Sequence, residues 1–84
     1  MARHSPFDRI EGSLEYLGLL RETIQATELE IRKEVVRAQS ERAERRLQAL
    51  HLVTYKLERL GEHIDTSHRL LGDLRALRRL LLGE

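Results

Sequence analysis

Apolar side chains recur every three or four residues through most of this chain, and from Leu19 to Leu60 no glycine or proline interrupts them. A stripe of that period lies along one side of an α-helix but falls on both sides of a strand, so the pattern commits the chain to long amphipathic helices. Composition agrees. Leucine occurs 17 times, arginine 13 and glutamate 11 in 84 residues, and all three are strong helix formers. Such a length holds one domain at most.

Two heptad seams can be traced. In the first half one column is Phe7, Leu14, Arg21, Glu28 and Val35, and its companion is Ile10, Leu17, Ile24, Ile31 and Ala38. In the second half the columns are Leu50, Leu57, Ile64, Leu71 and Arg78 beside Val53, Leu60, Ser67, Leu74 and Leu81. The two frames differ by one residue, which a turn between them or a skip in one coiled coil would absorb. Residues 39–46 are the most polar stretch, and Ser40 there is a candidate N-cap with Glu41 in the following turn. The expected fold is therefore all-α, a long antiparallel hairpin of about 6–39 and 41–82 behind a flexible N-terminus at residues 1–5. Residues 6–84 would form the single helical domain. Ser5-Pro6-Phe7-Asp8 is a strong helix start, with a cap, a proline at the first helical position and an acid in the first turn.

Two alternatives share the pattern. Thr27-Glu28-Leu29-Glu30 has the form of a capping box, and Gly61 with Asp65-Thr66-Ser67 would separate a third helix. Pairs such as Glu28–Arg32 and Glu41–Arg45 would instead support one long coiled coil.

A slim hairpin buries one stripe per helix, and small scaffolds normally need disulfides, a metal or oligomerisation in addition. Cysteine is absent, so self-association is the expected remedy. Tyr16, Leu19, Leu20, Leu29, Val36, Leu47, Leu52, Leu70, Leu77, Leu80 and Leu82 flank the seams, and pairing two hairpins into a four-helix bundle would cover many of them. The residues expected to carry the association are Ile10, Leu14, Leu17, Ile24, Ile31, Val35, Leu50, Val53, Leu57, Leu60, Ile64, Leu71, Leu74 and Leu81. Arg21, Glu28, Ser67 and Arg78 interrupt the columns; the arginines are read as packing their stems with the heads in water. Arg21 or Glu28 pairing across the bundle is the alternative.

The chemistry of catalysis is missing. No Gly-x-Ser-x-Gly or glycine-rich phosphate loop occurs. His63 and His68 are five residues apart and face different sides of a helix. Asp65 and His68 have the spacing of a carboxylate–histidine pair, yet the hairpin sets Leu14 and Leu17 opposite them rather than an acid. The reading is a non-enzymatic interaction protein, an adaptor, scaffold or regulator of a larger assembly, with no cofactor.

Nucleic acid is the alternative partner. Arg37, Arg42, Arg45 and Arg46 gather at the proposed turn, but the net charge is only +1 and the aromatic residues are Phe7, Tyr16 and Tyr55 alone. The first 36 residues hold five basic and seven acidic groups, the remainder ten basic and seven acidic, which suits packing one half against the other. Residues 69–82 form a basic amphipathic stretch, read as core or as a docking surface for a larger protein before a membrane surface. No apolar run is long enough to span a bilayer, and no apolar segment of signal-peptide type follows Met1, so a cytoplasmic location is expected.

Overall fold

The computed structural model describes residues 9–83. Two helices account for nearly all of them: α1 spans Ile10–Ser40 and α2 spans Glu44–Leu82. They pack antiparallel as a hairpin with a longest dimension of 62 Å and cross-sections of 21 and 15 Å. At about 1.5 Å per residue, the 39-residue α2 sets that length by itself. No strand occurs among the described residues.

The turn is longer and slightly later than the sequence suggests, three residues in place of one. Ser40 ends α1, its hydroxyl donating to the Arg37 carbonyl, rather than capping α2. The N-cap of α2 is Ala43, which offers no side-chain hydrogen bond. Between them the backbone closes the end of α1. The Ala43 N–H donates to the Ala38 carbonyl at 2.9 Å and the Arg42 N–H to the Gln39 carbonyl at 3.2 Å. This is the Schellman arrangement, with Arg42 in the left-handed position at φ 54° where glycine is usual. Ala38, fully buried, and half-buried Ala43 are the apolar pair that accompanies it. The helix ends expected at 39 and 41 are thus corrected to 40 and 44, because local backbone bonding closes the turn within Glu41, Arg42 and Ala43. The expected start at Ser5-Pro6-Phe7-Asp8 lies outside the described residues.

Neither alternative topology forms. Thr27 donates its hydroxyl back to the Thr23 carbonyl at 2.8 Å inside α1, as an interior threonine does, and caps nothing. Helix α2 runs unbroken through Gly61, Asp65-Thr66-Ser67 and Gly72 to Gly83, whose φ of 72° closes its C-terminus.

Helix α1 turns its two expected columns inward. Ile10, Leu14, Ile24 and Ala38 are buried, and Leu17, Glu28, Ile31 and Val35 are half-buried. Helix α2 uses only one of its expected columns. Leu50, Leu57, Ile64, Leu71 and Arg78 face α1, with Ile64 buried and the rest half-buried. Their companions in the hairpin are Leu47, Thr54 and Gly61, all half-buried, rather than Val53, Leu60 and Leu74. The short turn explains this. It brings Ala43 onto Ala38, and Leu47 and Leu50 follow on the same side of α2. Ion pairs hold the same rotation: Glu34 with Arg46 near the turn, Arg21 with Asp65 at 3.1 Å, and Glu11 with Arg75 at 3.3 Å near the open end. All are solvent-exposed to some degree, so each adds at most about 1 kcal/mol.

Candidate functional site

The rotation of α2 leaves its second leucine column outside. Val53 and Leu74 are 39% and 40% exposed, at the edge of the hairpin, Leu60 48% and Leu81 72%. Each heptad places Leu70 and Leu77 beside this column, so that residues 53, 60, 70, 74, 77 and 81 run along one side of α2. Across the hairpin, α1 presents Ser13, Tyr16 and half-buried Leu20 on the same side. An open groove of about 720 Å³ lies between the helices there, lined by Arg9, Gly12, Ser13, Tyr16 and Leu17 at the start of α1 and by Ser67, Leu70 and Leu71 from α2. Of the 14 exposed large hydrophobic residues among those described, Tyr16, Val53, Leu60, Leu70, Leu74, Leu77 and Leu81 fall on this one face. Scattered exposed leucines are ordinary, but a contiguous stripe is a candidate interaction surface.

The opposite flank has a different character. Arg21 and Asp65 bridge it, and Gln25, Glu28, Glu58 and Glu62 line a second, smaller groove beside them. Leu29, Val36 and Tyr55 are its exposed apolar residues, separated by charge.

The expected association residues are therefore divided. Ile10, Leu14, Leu17, Ile24, Ile31 and Val35 of α1 and Leu50, Leu57, Ile64 and Leu71 of α2 hold the hairpin itself. Val53, Leu60, Leu74 and Leu81 lie on the outer face. Phe7 is outside the described residues. Of the interrupting polar residues, Arg21 pairs across the hairpin. Arg78 is half-buried on the inner side, and its Nε has no hydrogen-bond partner.

The arginine cluster at the turn is real but partly neutralised. Arg37 pairs with Glu34 at 3.4 Å, and Arg46 pairs with both Glu34 and Glu41. Arg42 and Arg45 make no ion pair among the described residues, and both are exposed. With Glu34, Glu41 and Glu44 interleaved among four arginines, little net positive potential is left to draw phosphate. The histidines do not converge either: no group of three His, Cys, Asp or Glu side chains among the described residues is placed to hold a metal ion. Asp65, the acid nearest His68 in the expected pairing, is engaged by Arg21. No described helix is long and apolar enough to cross a membrane.

Comparison with known proteins adds no relative: no family model, curated protein or solved structure matches the chain.

Proposed function

We propose that this chain is a small non-enzymatic interaction protein that self-associates through its leucine-rich surface and serves as an adaptor, scaffold or regulator within a larger assembly. The observation that carries the proposal is the outer leucine face. Among the described residues five apolar side chains are buried, while 14 large hydrophobic residues stand exposed. The accessible surface is 7136 Å², against roughly 5,200 Å² for a compact protein of this mass. Such an excess of surface, which comes with the slim 62 by 21 by 15 Å shape, suits a subunit that completes its core with a partner.

The test is a series of thermal melts followed by circular dichroism over a hundredfold range of protein concentration. A self-associating hairpin melts at a temperature that rises with concentration, because mass action favours the folded oligomer. A melting temperature independent of concentration would refute self-association.

A further inference from the structure

The two flanks of the hairpin are not equivalent, and the difference selects both a face and a partner. On one flank, Arg21–Asp65 and Glu11–Arg75 bridge the helices, and Glu28 and Glu58 line the groove. A second copy placed there would bring like carboxylates together and strip water from ion pairs. On the other flank, the outward positions between Ser13 and Thr27 on α1 and between Leu60 and Leu81 on α2 carry no Lys, Arg, Asp or Glu, only Tyr16 and His63 among ionisable side chains, with Arg9 at the open end and the Glu34–Arg46 pair near the turn bounding the stretch.

The central column of that flank, Val53, Leu60, Ser67, Leu74 and Leu81, has its one small polar residue in the middle. Leu60 and Leu74 stand one heptad either side of Ser67, and Val53 and Leu81 stand two heptads either side. A closed two-fold contact requires a surface that complements itself when reversed. Running α2 antiparallel to another α2 about Ser67 meets that requirement. Leu60 then lies against Leu74 of the second copy, Val53 against Leu81, and the small Ser67 side chains meet on the axis. Area is sufficient. The exposed parts of the seven apolar residues on this face amount to roughly 700 Å² per copy, or about 1,400 Å² per pair, within the roughly 1,200–2,000 Å² that stable interfaces bury.

We infer that the outer leucine face is occupied by a second copy of this chain, docked about a two-fold axis at Ser67 with the two α2 helices antiparallel. The inference rests on the self-association reading and adds the face, the symmetry and the register. The chain has no cysteine, so Ser67→Cys creates a single thiol at the axis, close to its symmetry mate. Mild oxidation followed by a non-reducing gel should give a covalent dimer with Ser67→Cys and none with Ala26→Cys on the outer side of α1. Sedimentation equilibrium supplies the second readout. The double variant Leu70→Glu/Leu77→Glu should weaken the dimer on the order of 100-fold, while Leu29→Glu/Val36→Glu on the charged flank should leave it unchanged. A parent dimer in which Ser67→Cys fails to cross-link, or in which a folded Leu70→Glu/Leu77→Glu variant still dimerises as tightly, overturns this face and leaves self-association standing. A parent chain that is monomeric overturns both. Should the double variant fail to fold, the cross-link alone decides.

Discussion

Arg42 gives the sharpest prediction about the hairpin. Its φ of 54° places an L-residue in the left-handed region, where Cβ crowds the following carbonyl at a cost of about 1–2 kcal/mol. The conformation is imposed by the turn. The Arg42 and Ala43 N–H groups donate to the Gln39 and Ala38 carbonyls only if residue 42 reverses its hand. The Arg42 side chain makes no ion pair among the described residues, so removing it loses little. Glycine relieves the crowding but widens the unfolded ensemble by about 0.4–1 kcal/mol. The net expectation for Arg42→Gly is a stabilisation of about 0.5–1 kcal/mol, or about 3–6 °C in Tm for a domain of this size. Arg42→Ala is the control. It removes the same charge while keeping a Cβ, and should move stability by less than about 0.5 kcal/mol. Thermal and urea melts of the three proteins at one matched concentration measure the effect. If Arg42→Gly is neutral or destabilising, or if Arg42→Ala stabilises equally, the Schellman turn with a strained arginine is wrong.

Other expectations follow from the same packing. Leu57→Asp places a charge on the inner side of α2 and should abolish helicity and association together, as read by circular dichroism and light scattering. Ile24→Ala, at a buried seam position, should cost about 2–3 kcal/mol in urea unfolding, whereas Leu19→Ala, 64% exposed, should cost under about 0.5 kcal/mol. A Cβ added at Gly61 or Gly72 meets nothing within 4 Å, so each change to alanine should stabilise α2 by up to about 1 kcal/mol. In gel shifts with mixed RNA and DNA, no complex should form even at low salt, where phosphate contacts are strongest; a complex that weakens steeply with salt and is lost in Arg42→Gln/Arg45→Gln would restore the nucleic-acid reading.

Much of the fold is legible in the heptad pattern. The columns of α1, Leu14 to Val35 and Ile10 to Ala38, lie inward as their spacing demands. The polar break near residue 40 locates the turn to within a few residues. Its details are hidden because they depend on backbone geometry without a glycine to announce it: nothing in Arg42 signals a left-handed residue. The rotation of α2 is hidden for a related reason. Its apolar residues mark two overlapping stripes, Leu47–Leu50–Thr54–Leu57 and Val53–Leu60–Leu74–Leu81, and hydrophobicity favours the second as companion to Leu57 and Ile64. The three-residue turn chooses the first, setting Thr54 on the side toward α1 and Gly61 at the edge of the charged groove, and turning the richer leucine column outward. A local constraint therefore overrides the stronger pattern, and what it displaces becomes the candidate interaction face. Tyr16, Leu70 and Leu77 read as flanking residues in the sequence; only the rotation of α2 gathers them with Leu60 and Leu74 on one side.

The most direct test of the whole account is the mass and shape of the unmodified chain in solution, by light scattering combined with small-angle X-ray scattering. Two hairpins paired through the outer leucine face about Ser67 predict twice the 9.8 kDa chain mass and a longest dimension of roughly 75 Å, the 62 Å of one hairpin plus the offset of about 12 Å that this register gives. A mass of one chain at every concentration, or a rod of roughly 110 Å as expected if α1 ran straight into α2, would contradict it.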